Sequence, residues 1–234
     1  MRNNRWPEAL RLFEQAIERD PRYGPALAFA AFRRMQLCND GFSADPDGDR
    51  HKGIDYARRA LAVAGDDPIV LANGAQVLAS FGEDIGAMIA LIDRALRLNP
   101  SYARGWVASG YVRWLAGEPD LAIEHCKTAT LLSPRARVGG VFHISGAAHL
   151  IAGRFEEAAS TLQLAIQDSP RFPHAYRLLA ATYVCLGRLD DARKIVERLR
   201  AITPLVVEDF AYLRNPEQRE LILSGLRIAA GEAE

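Results

Sequence analysis

Histidine and cysteine side chains are the residues of this 234-residue chain that could support metal or nucleophilic chemistry. His143 and His149 lie six residues apart on one predicted helix, whereas a shared metal needs ligands three or four residues apart. Cys126 and Cys185 fall on apolar helix positions, where burial keeps a thiol protonated and inert. We therefore predict core or groove histidines and reduced core cysteines (Cys38 included), with no metal and no cofactor.

Three aspartates, Asp45, Asp47 and Asp49, alternate as they do at the start of a calcium-binding loop. The pattern then fails, because the glycine stands at position 48 and the twelfth position is Tyr56 rather than glutamate. The surrounding stretch, residues 39–50, is polar, rich in turn residues and without periodicity. It predicts an exposed loop between a helix over about 23–38 and a helix over about 51–64.

The composition excludes several classes of function. The 29 basic and 29 acidic residues balance, which argues against electrostatic capture of nucleic acid or of an anionic membrane. No apolar run reaches the ~18 residues of a membrane span, and the first ten residues contain no signal-peptide core. The chain contains no GxxxxGK[ST], GxGxxG, HExxH or GxSxG run. We predict a cytoplasmic protein that is not an enzyme.

Prolines and glycines recur along the chain with a period near 34 residues. The prolines lie 32, 34, 36 and 34 residues apart, at Pro68, Pro100, Pro134, Pro170 and Pro204. Seventeen or eighteen residues before the last four of them stand Gly82, Gly117, Gly153 and Gly187. Glycine can end a helix in the left-handed conformation without a Cβ clash. The pattern predicts stacked pairs of helices, because a lone hairpin cannot bury its own apolar face.

The first helix of each pair, called helix A, has a large residue eleven positions before the glycine and a small one seven before it. The large residues are Leu71, Trp106, Phe142 and Tyr176, and the small ones are Ala75, Gly110, Gly146 and Ala180. This combination resembles the tetratricopeptide repeat family over about residues 1–204. The resemblance implies an all-α, right-handed superhelix, an α-solenoid of antiparallel helix pairs closed by a C-terminal capping helix.

The two ends of the chain depart from the repeat. Residues 1–21 form half a repeat, a second helix (helix B) with Asn4 in place of the glycine, and about five helix pairs follow. Either a frayed terminal helix or a chain cut from a longer protein would explain the half repeat. Residues 205–234 form a capping segment, whose helix over about 216–230 begins at Pro216 with Asn215 as its N-cap.

In this family the concave wall is built by helix A residues thirteen, ten, six and three positions before the turn glycine. The resemblance therefore implies these partner-binding residues: Arg104, Val107, Tyr111, Trp114, His143, His174 and Arg177. Aromatic and arginine side chains commonly anchor interfaces. Because none of these positions carries a carboxylate, we expect an acidic or amphipathic protein segment as ligand, from a partner, another domain or a second copy. Alternatively, Trp114 and Tyr111 only pack against neighbouring helices.

A narrower resemblance rests on IDYARRALAVAGDDP, AGRFEEAASTLQLAIQDSP and the terminal NPEQRELILSGLRIAAG. These resemble the C-terminal repeat region of bacterial class III adenylate/guanylate cyclase-like proteins and related winged-helix regulators. The resemblance implies a non-catalytic signalling scaffold, with any cyclase activity in an upstream domain outside this chain. Two alternatives stay open: self-association, or an enzyme in which His143 and His174 would have to converge with an acidic residue.

Overall fold

The computed structural model describes residues 6–134 and 140–232 of the chain. Over these ranges it contains twelve α-helices and no strand, so the predicted all-α class is confirmed. Position Asn4 lies outside the described residues. The helices are α1 (Trp6–Arg19), α2 (Gly24–Asp40), α3 (Pro46–Val63), α4 (Pro68–Ser80), α5 (Ile85–Leu98), α6 (Ala103–Ala116), α7 (Pro119–Leu132), α8 (Val141–Ile151), α9 (Phe155–Asp168), α10 (Pro173–Cys185), α11 (Leu189–Arg200) and α12 (Pro216–Ala230).

The chain divides into two compact units, residues 1–109 (unit 1) and residues 110–234 (unit 2). In unit 1, α2 packs against α1, α3 and α4, and α4 also packs against α5. In unit 2, α8 packs against α7, α9 and α10, and α10 also packs against α11 and α12. Each pair therefore buries its apolar faces against its own partner and against the neighbouring pair. None of the helices in the described ranges is long and apolar enough to cross a bilayer.

The turn glycines have the left-handed conformation that the repeat pattern predicts. Their φ angles lie between 71° and 101° at Gly82, Gly117, Gly153 and Gly187. Gly41, with φ 77°, ends α2 in the same way, although the sequence pattern did not single it out. Pro68 lies at a helix start, whereas the recurring prolines Pro100, Pro134 and Pro170 lie in turns. Pro68 is the first residue of α4, where the missing N–H costs nothing, and Asp67 caps the helix.

The predicted loop over residues 39–50 is wrong in extent. Helix α2 continues to Asp40 and α3 begins at Pro46, so only residues 41–45 lie between the two helices. Two acidic residues of this stretch stabilise the fold. Asp45 accepts a hydrogen bond from the Gly48 N–H as the N-cap of α3. Asp49 pairs with the buried guanidinium of Arg34 on α2. A cap and a buried ion pair therefore replace the exposed loop that the polar composition suggested.

Most of the large and small helix A positions are buried, as close packing between the stacked helices requires. A Cβ atom on Gly146 would lie 2.6 Å from Cγ of Leu162 on α9, which shows how closely α8 and α9 approach. Two of the large residues are exceptions: Trp106 is half-buried, and the ring of Phe142 is 44% exposed. Helix α8 begins only at Val141, so residue 142 lies in its first turn and outside the packed face.

Candidate functional site

The predicted wall residues of unit 1 lie on the first half of α6. Val107 is fully buried, and Arg104 is partly exposed. The guanidinium carbon of Arg104 stands 4.4 Å from the ring centroid of Phe32 on α2, a cation–π contact. Burial lowers the pKa of Arg104, and the nearby positive charge of Arg33 lowers it further. Unit 1 therefore presents a guanidinium stacked on an aromatic ring at the predicted position.

The predicted wall residues of unit 2 are buried rather than open to solvent. Trp114 and Arg177 are 0% exposed, His143 and His174 are 5% exposed, and Tyr111 is 7% exposed. The expectation of an accessible wall is therefore not met at Val107 in unit 1, nor at these five positions in unit 2. In unit 2 the physical reason is that the chain's own residues 204–230, which we call the C-terminal segment, cover this part of the helix A surface.

Arg177 on α10 is the polar anchor of the C-terminal segment. Its Nη2 donates to the carbonyl oxygen of Leu205 at 2.7 Å, and its Nε donates to that of Val206 at 3.2 Å. Its Nη1 lies 3.1 Å from Oε2 of Glu208. One buried guanidinium thus holds two main-chain carbonyls and one carboxylate, which uses the planar fork of donors that arginine provides.

Aromatic rings surround this ion pair. The ring of Tyr212 meets that of Trp114 edge to face with centroids 6.0 Å apart, and its hydroxyl donates to Oε1 of Glu208. The same Oε1 lies 3.4 Å from Nδ1 of His174. Phe210, which is fully buried, packs its ring 5.8 Å from that of Tyr212. The segment is therefore held by a carboxylate and by two aromatic rings, two and four residues after it.

His143 completes the cluster from α8. Its ring centroid lies 5.6 Å from those of Trp114 and His174 and 4.9 Å from that of Phe172. Burial lowers the pKa of His143 to about 3, so its imidazole stays neutral. Within the described residues, the Nε2 atom of His143 and the Nε1 atom of Trp114 are buried without a hydrogen-bond partner.

The two groove histidines contact each other, and one of them, His174, contacts an acidic residue that the sequence did not indicate. That residue is Glu208, and it comes from the C-terminal segment rather than from a repeat. His143, His174 and Glu208 are all buried, and aromatic rings fill the space beside them. This arrangement provides an anchoring cluster, and in this structure the packed rings give a substrate no access to it.

Burial also changes the acid–base properties of Glu208 and Tyr212. It raises the pKa of Glu208 to about 7, although the positive charge of Arg177 acts in the opposite direction. It raises the pKa of Tyr212 well above its ordinary value, and the Glu208 carboxylate contributes to that rise. The carboxyl group of Glu208 therefore titrates near neutral pH, while the phenol of Tyr212 stays protonated.

Helix α12 continues the contact across the helix A surface of α10. The N–H of Arg214, just before α12, donates to the carbonyl oxygen of Leu115 at 3.1 Å. A Cβ atom on Gly225 would lie 3.1 Å from Cα of Ala181, which is one of the α10 wall positions. Ile222 and Leu226 of α12 are fully buried. The last helix therefore lies on a helical surface as an amphipathic ligand lies in a groove.

The residues that sequence reasoning missed are Glu208, Phe210 and Tyr212. They are buried, whereas Asp209 and Ala211 between them are exposed. This alternation has a period of two, although the chain is not regularly extended here, because Phe210 has a φ angle of 48° and residues 211–212 form a turn. Reading the stretch after Pro204 for that period, rather than for the helical one, would have indicated a buried face.

Metal and thiol chemistry find no support in the part of the chain that the structure describes. No group of three His, Cys, Asp or Glu side chains in residues 6–134 and 140–232 could hold a metal ion. The three cysteines are free, and burial raises the pKa of Cys126 to about 12 and that of Cys38 to about 11. Only Cys126 is a fully buried core residue as predicted, because Cys38 and Cys185 are partly exposed near the ends of their helices.

Comparison with protein families supports the tetratricopeptide repeat. Residues 89–136 and residues 149–215 each match a tetratricopeptide repeat model. No curated protein sequence matches the chain.

Solved structures share the fold at low identity. The chain is similar to a tetratricopeptide repeat protein from Parabacteroides merdae, at 13% identity and a TM-score of 0.57, over 97% of this chain and 81% of that one. It is similar to a chain of the APC/C hetero-tetramer Cut9–Hcn1, at 17% identity and a TM-score of 0.66, over 95% and 40% of the two chains. A thermophilic tetratricopeptide repeat protein of Thermus thermophilus matches at 19% identity and a TM-score of 0.58, over 76% and 91%.

These likenesses show the α-solenoid fold. Tetratricopeptide repeats generally mediate protein or peptide interactions, and the proteins that carry them are typically scaffolds rather than enzymes.

Proposed function

We propose that this tetratricopeptide-repeat scaffold is a non-catalytic regulatory module that binds protein segments on its helix A surfaces. The residues that carry binding are Arg104, Val107, Tyr111, Trp114, His143, His174 and Arg177. The ligand is an acidic or amphipathic segment of a protein.

One observation carries the proposal: the helix A surface of unit 2 holds a non-helical segment followed by an amphipathic helix. Arg177 binds two carbonyl oxygens and a carboxylate of that segment, and Trp114 packs against its tyrosine. Hydrogen bonds to main-chain carbonyls give affinity for any extended peptide, and the carboxylate and aromatic contacts add specificity. The surface therefore offers the groups that bind a peptide, and the segment that occupies it supplies the matching carboxylate and aromatic ring.

The setting that best fits the sequence is bacterial signalling in the cytoplasm. The resemblance to cyclase-like proteins and winged-helix regulators supports a role in which a repeat module controls a catalytic or DNA-binding domain. Arg104 in unit 1 adds a cationic contact on a partly exposed surface. It offers a carboxylate of such a domain, or of another protein, a rigid guanidinium.

A matched pair of charge reversals tests the proposal. The full chain is used as bait for partner proteins, and the wild type is compared with Arg104→Glu and with Arg97→Glu, an exposed cation on α5. We expect partners to bind the wild type and Arg97→Glu equally, and Arg104→Glu at least ~10-fold more weakly, because truncating one interface anchor typically costs over ~1.4 kcal/mol, which is tenfold.

Circular dichroism first establishes that both variants keep the helical content of the wild type. If a folded Arg104→Glu variant retains every partner at wild-type affinity, the helix A surface of unit 1 is not where partners bind.

A further inference from the structure

The C-terminal segment occupies its site with visible imperfections. Phe210 has a φ angle of 48°, and no other non-glycine residue in the described ranges has a positive φ. Bulky residues avoid this left-handed region, so the backbone is strained at a residue whose ring is fully buried. Trp114 Nε1 and His143 Nε2 also remain buried without hydrogen-bond partners among the described residues, which costs free energy in a low-dielectric interior.

The segment is also attached by few elements. It follows a turn at residues 201–202, runs without helix through residues 203–215, and ends in α12, which contacts α10 and α11. Residues 203–215 are held by one guanidinium, one carboxylate and two aromatic rings, and α12 is held by the apolar side chains that it buries, Ile222 and Leu226 among them. The helix pairs α8 with α9 and α10 with α11 also contact each other directly, so detachment of the segment would leave those contacts in place.

We propose that the C-terminal segment is an exchangeable internal ligand, which a partner protein displaces with a segment of the same chemistry. That segment presents a carboxylate for Arg177 and aromatic rings two and four residues after it. The proposal rests on the proposed function and deepens it, since it names the ligand class and the internal competitor of the unit 2 surface. A partner free of the strain at Phe210, with a polar group for Trp114 or His143, binds this surface better than the internal segment.

Competition with an internal ligand has a measurable signature. A tethered segment acts at an effective concentration on the order of millimolar, so it suppresses binding of any competitor supplied in solution. Weakening the internal segment, while leaving its binding surface unchanged, must therefore increase the affinity for the same segment added as a free peptide.

The probe is a fluorescent peptide with the sequence of residues 204–230, titrated into the full chain. Wild type is compared with Phe210→Ala, which removes a fully buried ring from the internal segment, and with Arg227→Ala on the exposed face of α12. We expect Phe210→Ala to bind the peptide about 100-fold more tightly than wild type, which corresponds to ~2.7 kcal/mol. Arg227→Ala should bind like wild type, and a peptide carrying Glu208→Ala should bind the Phe210→Ala chain at least ~10-fold more weakly.

Hydrogen exchange of the wild-type chain gives a second, independent measurement that needs no variant to fold. The proposal requires residues 204–230 to exchange faster than α8 and α10. It is overturned if these residues exchange together with α8 and α10, or if a folded Phe210→Ala chain binds the peptide no more tightly than wild type. A wild-type dimer that exchanges its C-terminal segments would place a second copy on this surface and would also overturn it. Failure of this test with success of the Arg104 comparison would leave the proposed function standing.

Discussion

Replacing Arg177 by methionine perturbs the anchor of the C-terminal segment at its centre. The change keeps an unbranched chain that fills the buried space and removes three contacts: two with main-chain carbonyls and one with the Glu208 carboxylate. We expect a loss of stability that depends on pH, because Glu208 can become neutral when its partner is removed.

The magnitude follows from the charge that the variant leaves behind. Because Arg177 lowers the pKa of Glu208, its removal raises that pKa further, so at pH 8 the variant must either bury an unpaired carboxylate or take up a proton on folding; breaking a buried pair in this way typically costs up to ~3–5 kcal/mol. At pH 5 the carboxyl group is protonated, since burial already raises its pKa to about 7 with Arg177 present. The cost then falls to that of the two lost carbonyl hydrogen bonds, about 2 kcal/mol in total.

The assay is urea unfolding followed by circular dichroism at pH 5 and pH 8, with hydrogen exchange of residues 205–213 as the local measurement. Arg198→Met is the matched control, because Arg198 is exposed on α11 and stacks on Tyr176. Exposed substitutions usually change stability by less than ~0.5 kcal/mol. If Arg177→Met costs less than ~1 kcal/mol at pH 8, or costs as much at pH 5 as at pH 8, the buried ion pair does not hold the segment.

Three further predictions concern separate parts of the chain. Glu208→Gln should remove a pH dependence of the wild-type stability. Because the folded pKa of Glu208 is raised, the stability that this group contributes is complete below the ordinary carboxyl pKa and declines as pH rises through about 7. Hydrogen exchange of both proteins at pH 5 to 8 measures the difference. Gly146→Leu should destabilise the protein by ~1–3 kcal/mol or more through overpacking against Leu162, and so lower its melting temperature. Gly86→Leu, on the exposed surface of α5, is the control, and equal melting temperatures of the two variants would refute the close approach of α8 and α9. Arg34→Met should expose residues 41–50 to limited proteolysis, because it removes the ion pair of Asp49 and leaves that carboxylate only the Ser43 hydroxyl. Uncut protein would show that the ion pair is not needed to hold the start of α3.

Local sequence signals determined the helices and their ends. Glycine is the residue that adopts the left-handed cap without strain, so Gly117 and Gly187 marked the turns from sequence. Pro216 after Asn215 marked the start of the last helix, because a fixed φ and a side-chain acceptor act within one turn. These features depend on residues a few positions apart, and the printed sequence contains them completely.

Tertiary structure decided where the charged and aromatic residues go. Asp49 belongs to a polar stretch by composition, yet the buried Arg34 pairs with it and draws the stretch into a helix start. Arg177 was recognised as an interface residue from its position, but its ligand, Glu208, lies 31 residues further along the chain, in a stretch without helical periodicity. No local pattern reports a contact between such distant residues. It forms because burying the aromatic rings of the C-terminal segment on the repeats stabilises the chain more than leaving both surfaces in water.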